Sequence, residues 1–132
     1  MESNLHLFEK THRLAMSTCD SGVQWDLPCG WTSIPWLAIV GIKNCGDIKD
    51  ATRSARRFIA TVRDNLICGH AIREKDNVVA ASIRFHVEAG YRQNLVGFWT
   101  NAVYLKLQQL LLQAGLSATP APTKHLPCAT RP

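Results

Sequence analysis

Two consecutive segments constrain this chain most. Residues 34–43 place apolar side chains on nearly every side of a helix: Ile34, Trp36, Leu37, Ala38, Ile39, Val40 and Ile42. A helix of that kind is buried all round. The segment that follows carries its apolar residues on one stripe only. Ala51, Ala55, Phe58, Val62 and Leu66 recur at steps of four, three, four and four, with Arg53, Arg56, Arg57 and Arg63 largely off the stripe. Asn44 to Gly46 supply a helix stop between the two, Asp47 supplies a cap, and Asp50 adds a negative charge to the next first turn. A buried helix followed by a half-solvated one is expected to form an inner–outer pair.

The rest of the chain adds one good helix and long loops. Leu5 to Met16 reads as a short helix or an irregular approach. Residues 69–97 lack helical period, with Val78 to Ala81 as a candidate extended stretch. A last helix starts at Thr100 or Asn101, with Val103, Leu107, Leu110, Leu111 and Ala114 on its buried face and Gly115 ending it. From Ser117 on, Pro120, Pro122, Pro127 and Pro132 make a polar tail that is expected to be disordered. The expected organisation is therefore a helical unit over 1–116 and a Pro-rich tail over 117–132. The fold class is all-α.

Charge and cysteine usage exclude more than they identify. Lys and Arg number 15 against 10 Asp and Glu. The arginine cluster at 53–63 reads as the solvated face of a helix, because no aromatic interleaving accompanies it, so neither nucleic acid nor membrane is expected as a partner. No apolar run reaches the about 18 residues that a membrane span requires. Cys19, Cys29, Cys45, Cys68 and Cys128 are odd in number and irregularly spaced. They predict no disulfide framework and no zinc site, and Cys45 and Cys68 fall where apolar helix residues belong. The five histidines are not at metal-ligand spacing, so no metal is expected.

The segment Gln24-Trp25-Asp26-Leu27-Pro28-Cys29-Gly30-Trp31 concentrates the chemistry. Pro and Gly mark it as a shaped loop. Its tryptophans either pin the loop to the core or form an apolar platform whose polar edge is Asp26 and Gln24, a surface suited to a sugar ring. Composition leaves both readings open, with the anchored turn the plainer one.

Three segments together resemble the trehalases, glycoside hydrolase family 37. The loop at 24–31 resembles the family's QWDxPxGW signature. Ile72-Arg73-Glu74-Lys75 resembles the start of its EKY segment, and Gly97-Phe98-Trp99-Thr100-Asn101-Ala102 its GFGWTNG segment. Asn4 to Lys10, Leu14 to Ser17 and Ser21-Gly22 resemble the approach to the signature in bacterial members. The resemblance runs over about residues 4–114. It implies the C-terminal portion of a family catalytic domain, hence a partial (α/α)6 toroid of about three to four helices with long loops. A partial ring leaves apolar faces uncovered, so marginal stability, or association with the missing N-terminal part of the barrel or with a second copy, is expected.

The family hydrolyses α,α-trehalose to two glucoses with inversion, without metal or cofactor. An inverting pair of carboxyl groups stands roughly 6.5–9.5 Å apart, one protonating the bridging oxygen and the other activating water. Glu74 matches the general base, with Arg73 and Lys75 beside it to favour its ionised form. Gln24, Trp25, Asp26, Trp31 and Trp99 match sugar-contacting segments, and Glu88 loosely matches a lid glutamate. The implied partner is trehalose or a similar small sugar. The family's general acid lies upstream of the signature, and neither Asp20 nor Asp26 matches it. The chain alone is therefore expected to be inactive, since loss of a general acid commonly costs about 10²–10⁴-fold. A non-catalytic remnant, a carbohydrate-binding partner and a related inverting glucosidase stay open as alternatives.

Several positions depart from the family pattern. Thr11-His12-Arg13 stands where Pro-Gly-Gly is usual, Thr32-Ser33 where Ala-Pro is usual, and Asp76 where tyrosine follows Glu-Lys. Met1 to Asn4 shows no signal peptide. The chain as written is expected in the cytoplasm, and a parent enzyme could be periplasmic.

Overall fold

The computed structural model describes residues 4–11, 13–23, 25–69, 72–79 and 97–117. Among them are four helices and one two-stranded ladder: α1 (Leu5–Phe8), β1 (Cys29–Trp31), α2 (Ser33–Asn44), α3 (Ile48–Gly69), β2 (Lys75–Asn77) and α4 (Phe98–Gln113). The class is all-α, in keeping with part of a paired-helix ring.

Local chemistry sets the boundaries between α2 and α3. Pro35 sits in the first turn of α2, where its missing N–H is an orphan in any case. After Asn44 the backbone reverses at Gly46, whose φ of 91° is left-handed. The Gly46 N–H donates to Lys43 O at 3.0 Å and the Asp47 N–H to Ile42 O at 3.2 Å. Asp47 Oδ1 then accepts from the Asp50 N–H at 3.1 Å and caps α3. Gly115, with φ 68°, ends α4 in the same left-handed way.

The helix α3 is the organising element and packs against both α2 and α4. Its Ala51, Ala55, Phe58, Ile59 and Val62 are buried with Ile39 of α2, Val103, Leu107 and Leu111 of α4, and Leu14. Arg56 and Arg57 lie exposed. Glu9 draws the approach segment onto this helix, accepting from Arg53 Nε at 3.0 Å, with Arg53 Nη2 2.9 Å and Arg57 Nη1 3.7 Å away.

The structure corrects several sequence expectations. The helix α2 is not buried all round: Pro35 and Ile39 are buried, but Leu37 is 65% exposed. Leu66 leaves the buried stripe of α3 and is exposed. At 100° per residue it lies about 60° off the line through Ala51, whereas buried Asn65 lies nearer to it. The last helix begins at Phe98, two or three residues before the expected start at Thr100 or Asn101, and Ala114 is exposed. A strand forms at Lys75–Asn77, ahead of the expected stretch; Val78 and Val79 follow it outside the strand, and Ala80 and Ala81 lie outside the described residues. Cys45 is exposed at the end of α2, and Cys68 is disulfide-bonded. Residues 80–96 and 118–132, and with them nearly all of the expected tail, lie outside the described residues.

Candidate functional site

The tryptophan loop is built by its own backbone. The Leu27 N–H donates to Cys19 O at 2.8 Å, the Asp26 N–H to Val23 O at 3.1 Å and the Cys29 N–H to Asp26 O at 2.9 Å. Ser21 Oγ donates to Asp26 Oδ2, and the Leu27–Pro28 peptide is cis. Trp25 and Trp31 stack on each other, with ring centroids 4.6 Å apart and planes 14° from parallel. Each ring thus spends one face on the other. Trp25 remains 51% exposed.

The ladder carries this loop to Glu74. The strands β1 and β2 pair antiparallel, with Cys29 opposite Asn77, Gly30 opposite Asp76 and Trp31 opposite Lys75. Val78 extends the pairing by donating its N–H to Pro28 O at 2.9 Å. At the other end the Thr32 N–H donates to Glu74 O at 3.1 Å. Thr32 Oγ1 donates to the same oxygen at 2.8 Å and stands 2.9 Å from Thr100 Oγ1. Thr100 Oγ1 donates to Arg73 O at 2.6 Å. Residues from the loop, from the Arg-Glu-Lys segment and from the start of α4 therefore meet at two hydroxyls.

Beneath this junction lies a buried ion pair. Arg13, 2% exposed, reaches from the approach segment to Asp76 Oδ2, while Asp76 Oδ1 accepts from Asn65 Nδ2 at 2.9 Å. Arg13 Nη1 also points at Thr32 Oγ1, 3.5 Å away, and the guanidinium lies 5.0 Å over the Phe58 ring. Burial lowers the Arg13 pKa to about 9, which leaves the group charged at neutral pH, opposite its carboxylate. Asp76 is thus committed to Arg13 and Asn65.

The expected site residues are therefore partly brought together. Trp25, Asp26 and Trp31 share one loop, and Trp31 faces the residue after Glu74 across the ladder. Trp99 stands 62% exposed at the start of α4, edge-on to Phe98 at 6.3 Å, one residue before buried Thr100. Gly97 is buried before it. A Cβ there would lie 3.0 Å from Ile72 O and 2.9 Å from Ile72 Cγ2, so only glycine lets the two motif segments close up. Gln24 and Glu88 lie outside the described residues. No group of His, Cys, Asp and Glu among the described residues could hold a metal ion.

Sequence reasoning did not find the roles of Arg13, Asn65, Asp76, Thr32 or Thr100. One signal was present: Arg13 and Asp76 both depart from the family pattern, and with opposite charges.

Comparison with known proteins gives one consistent result. The trehalase family profile matches residues 2–111. The periplasmic trehalase of Xanthomonas campestris pv. campestris (strain 8004) is 29% identical over 119 residues, covering 86% of this chain and 20% of that protein. The periplasmic trehalase of Salmonella typhimurium (strain LT2) is 29% identical over 128 residues, covering 83% of this chain and 21% of that protein. The chain spans about a fifth of the length of these relatives.

Proposed function

Since the chain belongs to the trehalase family, we propose that it forms the base-bearing part of a catalytic domain that hydrolyses α,α-trehalose, or a closely related disaccharide, with inversion. The observation that carries this reading is the β1–β2 register, which sets Trp31 opposite Lys75 and so holds the tryptophan loop beside Glu74. In this reading Glu74 is the general base that draws the proton from the attacking water. The free face of Trp25 stacks on a glucose ring, and Asp26, Gln24, Trp31, Trp99 and Glu88 shape the subsites.

The general acid comes from outside the 132 residues. Leu37, Leu105 and Leu112, each more than 60% exposed, are apolar surface of the kind that further helices of a ring would cover. That supports a working partner in the rest of a barrel. By the names of its relatives, the complete enzyme would work in the periplasm.

The test has two arms. Glucose release from trehalose is expected to be undetectable with the purified chain, and release abolished by Glu74→Gln in that chain overturns the missing-acid argument. In cell extract, the native protein that yields the peptide from Asn65 to Arg73 is expected at several times 14.7 kDa. In that protein E74Q is expected to lower turnover by about 10²–10⁴-fold. A Glu74→Gln enzyme of undiminished rate sinks the assignment of the base.

A further inference from the structure

We propose that Thr32 and Thr100 are positioning residues for Glu74, holding the two peptide planes that flank it through one shared pair of hydroxyls. The inference rests on Glu74 being the base.

The geometry that carries it is specific. A peptide group is planar, so fixing its carbonyl fixes the whole plane. The Arg73 carbonyl belongs to the plane before Glu74 and accepts from Thr100 Oγ1 at 2.6 Å. The Glu74 carbonyl belongs to the plane after it and accepts from Thr32 Oγ1 at 2.8 Å and the Thr32 N–H at 3.1 Å. With both planes held, φ and ψ of Glu74 are held, and so is the direction in which its Cβ leaves the backbone.

Counting protons shows how the two hydroxyls cooperate. Each has one proton, and together they serve three contacts. Thr100 commits its proton to Arg73 O. Thr32 has one proton for two acceptors, Glu74 O at 2.8 Å and Thr100 Oγ1 at 2.9 Å, so while that proton lies on Thr100 the Glu74 carbonyl is held by the Thr32 N–H alone at 3.1 Å. The buried Arg13 guanidinium, 3.5 Å away at the edge of hydrogen-bond reach, stands on the acceptor side of Thr32. A line from cation through two hydroxyls to a carbonyl is one in which each bond polarises the next. Both hydroxyl residues are fully buried, which removes competing water.

Thr32 is moreover diverted from the task its position offers. It is the N-cap residue of α2, where a threonine commonly bonds to the helix's own first amides, and it makes no such bond. Where the family pattern reads Ala-Pro, this chain has Thr32-Ser33. The stiffness that proline would give the first residue of α2 is lost here, and the hydroxyl bridge restrains the same junction from the side.

Backbone 15N relaxation on the 132-residue chain tests this. Order parameters of the Glu74 and Lys75 amides are expected near about 0.85, falling towards about 0.6 in Thr32→Ala while those of the α3 core residues Phe58 and Ile59 stay unchanged. Thr32→Ser, which keeps the hydroxyl, is expected to restore them, and Thr100→Val to reproduce the loss. Alanine is the residue of the family pattern at this position, so Thr32→Ala is expected to fold, and far-UV circular dichroism checks that it does. Order parameters at 74 and 75 that are unchanged in Thr32→Ala, that fall equally along α3, or that are not restored by Thr32→Ser overturn the clamp. Failure of the base assignment is read separately: retained turnover in Glu74→Gln sinks that assignment and leaves these order parameters as they are.

Discussion

The junction under the tryptophan loop and the outer faces of α2 and α4 are opposite kinds of surface. At the junction, polar groups are buried and paired: Arg13 with Asp76, Asp76 with Asn65, Thr32 with Thr100 and with the Glu74 carbonyl. On the outer faces, apolar groups are exposed: Leu37, Leu105 and Leu112, beside an open groove lined by Trp36, Val40, Lys106 and Leu110. The junction closes its main polar pairs within the described residues, with Arg13 Nε left without a hydrogen-bond partner there, whereas the outer faces present uncovered leucines. What this chain can define by itself is therefore the placement of Glu74 against the loop. Its helices α2 and α4 keep leucines exposed on their outer sides.

If that contrast is right, damage at the junction is far costlier than damage outside. Arg13→Ala leaves the Asp76 carboxylate buried with only Asn65 opposite, and is expected to destabilise the chain by about 3–5 kcal/mol in urea denaturation. The opposite-charge departures can be tested as a pair. Arg13→Gly with Asp76→Tyr restores the family pattern at both positions. The double variant is expected to be more stable than either single one, with a coupling of about 0.5–3 kcal/mol. Strict additivity would mean that the two changes arose without reference to each other. Arg13 adds no pH slope near neutrality. Burial puts the folded pKa of Arg13 at about 9, well below the ordinary guanidinium value. The unfolded chain therefore binds more protons only between those values, and stability from this group rises with pH only there.

A smaller loss is expected where backbones meet closely. A Cβ on Gly30 would overlap Val78 Cγ1, since the strand approaches the buried valine with no room between. Gly30→Ala is expected to cost about 1–3 kcal/mol through forced repacking. A shift in the Trp25 and Trp31 fluorescence should accompany it, because Gly30 lies in β1 beside the stacked pair. A stable variant with unchanged fluorescence would show that the ladder is looser than its register suggests. Asp47→Ala, away from the junction, removes one cap and is expected to cost about 1 kcal/mol.

The sequence made the helices legible because each obeys a local rule. The Ala51 to Val62 stripe, the Asp47 cap and the stops at Gly46 and Gly115 all act within a few residues of where they are read. Leu66 was misplaced because steps of four slowly rotate off the buried line. The start of α4 was placed late because Phe98 and Trp99 are exposed, so no apolar period announces its first turn. The junction was illegible for a different reason. Arg13, Thr32, Asp76 and Thr100 come from four separated segments, and no periodicity connects a buried arginine to its carboxylate. Only the motif order singled out Glu74, and only the structure shows its carbonyl bonded to Thr32 and the Arg73 carbonyl bonded to Thr100.

The smallest effect is expected on the outer faces, and it separates the two regions most directly. Leu37→Gln and Leu105→Gln replace side chains that touch mostly solvent, so each is expected to change the stability of the isolated chain by no more than about 0.5 kcal/mol. Their effect should appear instead in association. If these faces are left for a further part of a ring, the isolated chain is expected to self-associate as its concentration rises, and the double variant to sediment closer to its single-chain mass at the same concentration. A chain that stays monomeric before and after the changes, with unchanged stability, would mean that the outer leucines are ordinary surface residues. The contrast would then be between a tight junction and a plain exterior, with no unfilled interface on these helices.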